Sequence, residues 1–256
     1  MWDNRRMTSG IFDSDAFNDR LFFPRDDTSA PPNGARDLMV TVAGAQLHVR
    51  IHAADGARCT VLLFHGNGEV VADYDDAAAR FADCGAALAI ADFRGYGAST
   101  GEPNLRNTVE DAQLVVAAMP IDSARPLVIM GRSLGSVSMA ELYRAPTPRI
   151  AGFIWESGIG DLYGLVARRG LERPARLDEA DLRTFDPLPK LAAGSAPLLV
   201  LHGVEDDVID VSEAKTVYAS AGTTRKELVL IPGRGHNDLM REPIYWDAIA
   251  RFVAAL

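Results

Sequence analysis

The feature that most constrains the fold is a Gly-x-Ser-x-Gly pentapeptide at residues 131–135, placed between an apolar run and a helical pattern. Residues 127–130 read as a short strand, and residues 134–143 have the periodicity of a helix. A strand that turns directly into a helix strains its central residue, and only glycine fits on both sides of that residue. The turn lifts the Ser133 hydroxyl above the sheet and points the first helical amides at the same space. We therefore predict that Ser133 is a nucleophile.

The composition is that of an ordinary globular chain of 256 residues, 48% hydrophobic and 24% charged. Its formal net charge of −9 disfavours nucleic acid or an anionic membrane as a partner. The polar residues 1–10 lack the apolar core of a signal peptide, and no stretch has the length of a membrane span. We expect a cytoplasmic protein of undetermined oligomeric state, in which Cys59 and Cys84 are buried, reduced thiols.

Apolar runs alternate with helical patterns along most of the chain. Residues 1–36 are polar and rich in Asp, Pro and Gly, which predicts an N-terminal arm ahead of a single domain at residues 37–256. The first two predicted strands, 38–42 and 46–51, are expected to form a hairpin. The further predicted strands are 60–64, 87–91, 127–130, 152–155, 197–201 and 227–231. The predicted helices are 75–83, 108–118, 134–143, 212–221 and 245–253. Near-continuous apolar strands indicate an α/β fold with a mostly parallel central sheet flanked by helices.

One connection, at about residues 159–195, is too long for a plain crossover and predicts a small helical cap over the strand ends. The cap carries five arginines, Arg168, Arg169, Arg173, Arg176 and Arg183. They could bind an acidic substrate, or they could form solvated pairs with the acidic residues among them. The second interpretation is favoured, because exposed charges commonly pair locally on helices.

Serine, carboxylate and histidine follow strand ends in that order along the chain. Ligands of open parallel sheets bind beyond the carboxyl ends of the strands, so residues far apart in sequence converge there. Ser133 follows one strand, the pair Asp206 and Asp207 follows another, and His236 follows the last. A serine hydroxyl needs an imidazole to take its proton, and the imidazole needs a carboxylate to fix its tautomer.

These segments resemble those of the α/β-hydrolases, in particular small esterase-like serine hydrolases with a short helical cap. The resemblance runs from about Leu38 to the C-terminus and rests on five segments: His65-Gly66-Asn67-Gly68, residues 92–99, residues 131–135, His202-Gly203-x-x-Asp206 and Gly235-His236. It implies an α/β-hydrolase fold in which Ser133 is the nucleophile, His236 the base and Asp206 the acid. It also places the oxyanion hole at the backbone amides of Asn67 and Leu134.

Several alternatives stand beside these assignments. The family pattern favours Asp206 over Asp207, and Glu156, which follows another strand, is the second choice for the acid. A metal site of His65, His202, Asp206 and His236 is disfavoured, because their spacing does not match a zinc-binding helix. No dinucleotide or P-loop fingerprint is present, so neither a cofactor nor a metal is expected. In the cap, the residues predicted to contact substrate are Leu162, Tyr163, Leu165 and Val166.

The predicted function is hydrolysis of a carboxylic ester of a small molecule through an acyl-enzyme. Thioester and amide cleavage need the same groups and stay open. The competing hypothesis is a non-catalytic binding module that keeps the fold, although such a module is expected to lack part of the triad. The fold hosts many chemistries, so the sequence does not identify the acyl or alcohol group.

Overall fold

The computed structural model describes residues 10–120, 125–171 and 177–256. Its sheet has eight strands in the order β1-β2-β4-β3-β5-β6-β7-β8. The strands are β1 Ala35–Val42, β2 Ala45–His52, β3 Cys59–Phe64, β4 Ala86–Ala91, β5 Leu127–Arg132, β6 Ile150–Glu156, β7 Leu198–Gly203 and β8 Lys226–Ile231. β2 is antiparallel to both of its neighbours, and all other pairs are parallel. The predicted mostly parallel sheet flanked by helices is confirmed.

The central strands are buried on both faces, as their apolar sequences require. In β5, Ile129 packs into one hydrophobic cluster, while Val128 and Met130 pack into a second cluster on the opposite face. This alternation follows the two-residue period of a strand. The helices divide between the two clusters, which places the core on both sides of one sheet. The carboxyl ends of the parallel strands are left free for a site.

The described α-helices are α1 Asp15–Leu21, α2 Ala78–Asp83, α3 Leu105–Ala118, α4 Ser136–Arg144, α5 Leu162–Arg168, α6 Glu179–Phe185, α7 Pro187–Ala193, α8 Val211–Ser220 and α9 Pro243–Ala254. The helix predicted at residues 75–83 is preceded by a 3-10 turn, Val71–Ala77, and becomes α-helical only from Ala78. No described helix combines the length and apolar character needed to cross a membrane.

The N-terminal segment contains α1, which the sequence analysis did not predict. The Ser14 hydroxyl accepts a hydrogen bond from the Phe17 amide and caps the helix. Phe12, Phe17 and Leu21 are fully buried, and the Phe12 ring lies 5.1 Å from the ring of Phe185 in the cap. This segment therefore packs into the same hydrophobic cluster as Ile129. The domain boundary at residue 36 stays a prediction.

Three short helices, α5 to α7, occupy the described part of the predicted cap. Each begins with an aspartate whose carboxylate accepts a backbone hydrogen bond: Asp161, Asp178 and Asp186 respectively. The side chains of Leu162, Leu165 and Val166 are buried in the same cluster as the helices beneath them. The cap is thus continuous with the core on that face.

Candidate active site

The pentapeptide forms the expected sharp turn at the end of β5. Ser133 has a backbone φ angle of 49°, a conformation that residues other than glycine rarely adopt. A Cβ atom on Gly135 would lie 1.9 Å from the Phe64 carbonyl oxygen, and one on Gly131 would lie 2.7 Å from the Gly135 carbonyl oxygen. Both positions therefore require glycine, because the strand, the turn and the neighbouring strand approach too closely for a side chain.

Three side chains from distant parts of the chain meet above this turn. The distance from His236 Nε2 to Ser133 Oγ is 2.9 Å, and that from His236 Nδ1 to Asp206 Oδ2 is 2.8 Å. All three residues are buried. The arrangement suits proton transfer from a hydroxyl to an imidazole whose cationic form is stabilised by a carboxylate.

Asp206 is held by its own loop. Its Oδ1 accepts hydrogen bonds from the amides of Val208 at 2.9 Å and Ile209 at 2.8 Å, and His202 Nε2 lies 3.3 Å from its Oδ2. Burial alone would raise the pKa of Asp206, but hydrogen bonds from His202, His236 and the Ile209 amide hold it well below its usual value. Asp207 is exposed. The structure thus brings Asp206, and not its neighbour, to the imidazole.

The two amides predicted for the oxyanion hole belong to two different segments that follow strand ends. Leu134 lies in the turn Ser133–Gly135, where the first amides have no acceptor within the turn. Asn67 lies in the loop after β3, and its amide donates none of the hydrogen bonds found among the described residues. The assignment of these amides to an oxyanion hole stays a proposal, since it depends on where a substrate oxygen would lie.

The Asn67 side chain has a role that the sequence analysis missed. Its Oδ1 accepts hydrogen bonds from the Tyr96 hydroxyl at 2.6 Å and from the Phe23 amide at 3.0 Å. Its Nδ2 donates to the carbonyl of Leu21. Asn67 therefore fastens the N-terminal segment to the loop after β3, a contact for which the sequence shows no local signal.

One of the four residues of the alternative metal site, His65, contacts another part of the fold. His65 turns toward Asp92, with its Nε2 3.3 Å from Asp92 Oδ1, and its Nδ1 is 2.7 Å from the Gly66 carbonyl oxygen. Over residues 10–120, 125–171 and 177–256, no group of three or more histidine, cysteine or acidic side chains is arranged to hold a metal ion.

Glu156, the second choice for the acid, contacts Tyr245 and Arg132 instead of the imidazole. Its Oε2 accepts a hydrogen bond from the Tyr245 hydroxyl at 2.7 Å, and its Oε1 lies 3.4 Å from Arg132 Nε. Burial raises the pKa of Glu156, an effect opposed by Arg132 and by the tyrosine hydrogen bond. Arg132 occupies the second position of the pentapeptide, where the Gly-x-Ser-x-Gly pattern specifies no residue type. It is thus a buried neighbour of the site that sequence reasoning missed.

The cap residues occupy different environments. Leu162, Leu165 and Val166 are buried, and Tyr163 is half-buried with its hydroxyl accepting a hydrogen bond from the Leu177 amide at 3.2 Å. Whether they contact a substrate stays a prediction.

Two of the cap arginines pair with carboxylates. Arg183 lies 3.5 Å from Glu179 in its own helix, as expected, whereas Arg168 lies 2.6 Å from Glu213, which is in α8 and outside the cap. The guanidinium of Arg169 instead lies over the ring of Phe23. Arg173 and Arg176 lie outside the described residues.

Comparison with known proteins agrees with the fold. The family model described as serine aminopeptidase, S33, matches residues 55–167. Alpha/beta hydrolase domain-containing protein 17C of Xenopus tropicalis is 28% identical over 214 residues, which cover 80% of this chain and 64% of that protein. The chain spans between 60% and 64% of the length of this and the next three curated relatives.

Solved structures extend the comparison to the whole fold. An esterase from Pyrococcus furiosus superposes with a TM-score of 0.71 at 17% identity, covering 92% of this chain and 96% of that one. Est1E from Butyrivibrio proteoclasticus, solved with ferulic acid bound, gives a TM-score of 0.68 at 17% identity, covering 85% and 98%. These comparisons show that the chain has the α/β-hydrolase fold.

Proposed function

We propose that this protein is a serine hydrolase that cleaves a carboxylic ester of a small molecule by acyl transfer. The observation that carries the proposal is the continuous hydrogen-bonded series from Ser133 Oγ through His236 to Asp206, with distances of 2.9 and 2.8 Å. The series starts at a residue in a strained conformation, which is a common feature of functional sites.

In the proposed first step, Ser133 Oγ attacks the ester carbonyl carbon while His236 Nε2 takes the hydroxyl proton. The carbonyl oxygen gains negative charge and is stabilised by the amides of Asn67 and Leu134. Asp206 holds the imidazole in the tautomer that leaves Nε2 free to accept, and it stabilises the imidazolium that forms. The tetrahedral intermediate collapses when His236 returns the proton to the leaving alcohol.

In the second step, water replaces the alcohol. His236 takes a proton from the water as it attacks the acyl-enzyme carbonyl, and the same two amides stabilise the second oxyanion. The second intermediate collapses when His236 returns this proton to Ser133 Oγ, which releases the carboxylic acid and restores the Ser133 hydroxyl. The groups used are the same for a thioester or an amide, so the bond cleaved depends on the substrate that the pocket admits.

Labelling by a fluorophosphonate tests the central claim, because the reagent reacts with a serine only when its hydroxyl is activated. We expect one adduct on Ser133, found by mass spectrometry of the peptide, and none in Ser133→Ala. The matched control is Ser138→Ala, since Ser138 donates to the Thr108 carbonyl at 2.8 Å and lies away from the imidazole. A folded wild-type protein that stays unlabelled would support the non-catalytic binding module instead.

A substrate panel then tests the bond and the cap. It contains p-nitrophenyl esters from acetate to octanoate, an acyl thioester and an aminoacyl p-nitroanilide. We expect the esters to be the best substrates, as the esterases among the similar structures suggest; the aminopeptidase description of the family model makes the amide the competing outcome. Leu165→Ala should shift the preferred chain length, because each buried methylene contributes about 0.8 kcal/mol. An unchanged profile would place the acyl pocket away from the cap.

A further inference from the structure

Arg132 joins the two loops that carry the proposed catalytic groups. These are the oxyanion loop, residues 65–70, and the histidine loop, residues 232–238. Arg132 ends β5 and precedes Ser133, and its side chain is 8% exposed. Its Nη2 donates to the carbonyl of His236 at 3.3 Å and to Oδ1 of Asn237 at 2.7 Å. The same nitrogen lies 3.1 Å from Glu69 Oε1, so one buried side chain contacts both loops.

Glu69 transmits this contact to the backbone beside the proposed oxyanion donor. Its Oε2 accepts hydrogen bonds from the Gly66 amide at 2.6 Å and from the Tyr74 hydroxyl at 2.6 Å. Gly66 immediately precedes Asn67. A short series of contacts therefore runs from Arg132 through Glu69 to the peptide next to the proposed donor.

A second carboxylate completes the buried network. Glu156 lies on the Nε side of the Arg132 guanidinium at 3.4 Å and accepts a hydrogen bond from the Tyr245 hydroxyl. Burial opposes the charge on Arg132, but Glu69 and Glu156 raise its pKa above the usual value. A guanidinium supports such a network because its nitrogens lie in one plane and donate in several fixed directions, which an ammonium cannot do. Buried polar networks with their groups satisfied are rigid.

We propose that Arg132 is a positioning residue, whose guanidinium holds the oxyanion loop and the histidine loop in register with Ser133. The inference rests on the hydrolase function proposed above. Arg132 touches no reacting atom, and it acts through the His236 carbonyl and through Glu69. A loop displaced by about 1 Å can cost roughly a hundredfold in rate, so the loss of its donors should lower turnover rather than substrate affinity.

The first experiment measures kcat and KM for p-nitrophenyl butyrate in Arg132→Lys. We expect kcat on the pH plateau to fall about tenfold or more while KM stays within about twofold. The matched control is Arg94→Lys, because Arg94 makes two hydrogen bonds of 2.7 and 2.9 Å to Asp111 and contacts no triad residue in the described part of the chain. Its kcat should be unchanged. An Arg132→Lys kcat within twofold of wild type would overturn the inference.

The second experiment needs no turnover. It measures the rate at which a fluorophosphonate labels Ser133 in folded wild-type protein and in folded Arg132→Lys. We expect the labelling rate to fall together with kcat, and a wild-type rate in Arg132→Lys would overturn the inference. If the wild-type protein is neither labelled nor active, the proposed function fails, whereas an active wild type with an unimpaired Arg132→Lys variant overturns only the role of Arg132.

Discussion

The protein contains two histidine–aspartate pairs that have the same geometry but different surroundings. The Nδ1 to Oδ2 distance is 2.8 Å both in His236–Asp206 and in His48–Asp92, and both pairs are buried. The two pairs differ at the other ring nitrogen, Nε2. In His236 this nitrogen lies next to the Ser133 hydroxyl, whereas in His48 it lies 3.2 Å from the carboxylate of Asp37. The third group, and not the pair, determines what each arrangement can do.

The second carboxylate places the His48 ring between two acidic side chains. Burial would lower the pKa of His48, but Asp92 and Asp37 raise it above its usual value. Asp92 also lies against His65 and accepts from the Val71 amide at 3.0 Å. This network joins β2, the strand-end loops and the start of the oxyanion loop. It contains no hydroxyl placed to attack a carbonyl, so we expect it to contribute to stability.

The largest expected difference between the two regions comes from removing a hydroxyl. Ser133→Ala should lower ester turnover by about 10⁴-fold or more, because the three residues of a triad act as a unit. Ser99, whose hydroxyl accepts from the His48 amide at 2.8 Å in the second region, gives the matched variant Ser99→Ala. Its turnover should be close to wild type in the same assay. More than a few per cent of activity in purified Ser133→Ala would exclude Ser133 as the nucleophile.

The next largest effect is expected at the triad carboxylate. Asp206→Asn should lose roughly three to four orders of magnitude in turnover at neutral pH, because an amide favours the wrong imidazole tautomer. Asp207→Asn is the matched control and should stay within about tenfold, since that side chain is exposed. Kinetics of the two purified variants decide the matter. The reverse order of effects would assign the acid to Asp207.

The corresponding change in the other pair should affect stability instead. Asp92→Asn removes a buried charge from between His48 and His65 and should lower the free energy of unfolding by about 3 to 5 kcal/mol. The pKa of Asp92 is held below its usual value by those histidines, against the effect of burial. Its contribution is therefore present above the unfolded pKa of about 3.8 and is lost as the pH falls through the lower folded value. Urea unfolding between pH 3 and 7 measures both effects. If Asp92→Asn lost more turnover per folded molecule than Asp206→Asn, the comparison would be contradicted.

The smallest expected effect is the titration of His48. Since its pKa is raised on folding, its contribution to stability is complete below the unfolded value of about 6.5 and is lost as the pH rises through the folded value. The free energy of unfolding should therefore decrease more steeply above pH 6.5 in the wild type than in His48→Gln. Denaturant titrations at intervals of half a pH unit would show the difference. Parallel curves would mean that His48 does not change its pKa on folding.

Much of the fold and part of the site could be predicted because the signals are local. The alternation of apolar runs predicted every strand of the sheet, since strand burial depends on the residues of the strand itself. The position of Ser133 followed from two glycines, and the structure shows why: Gly135 passes too close to Phe64 for any side chain. In contrast, α1 was not predicted, because the segment that contains it is mostly polar. The burial of Phe12, Phe17 and Leu21 depends on contacts with a core that is formed by distant parts of the chain.

The sequence by itself determined the order of the elements and the sharp turn at Ser133, because propensity, periodicity and steric exclusion act between residues close in the chain. Only the tertiary structure decided which carboxylate meets His236, that Asn67 fastens the N-terminal segment, and that Arg132 contacts two loops at once. Those contacts link positions such as Arg132, which ends β5, and His236, which follows β8. β6 and β7 separate these two strands in the sheet, so the two residues meet because the loops beyond the strand ends turn toward each other. No pattern within one element contains that information, since it depends on the order of the strands and on the direction in which each loop leaves the sheet.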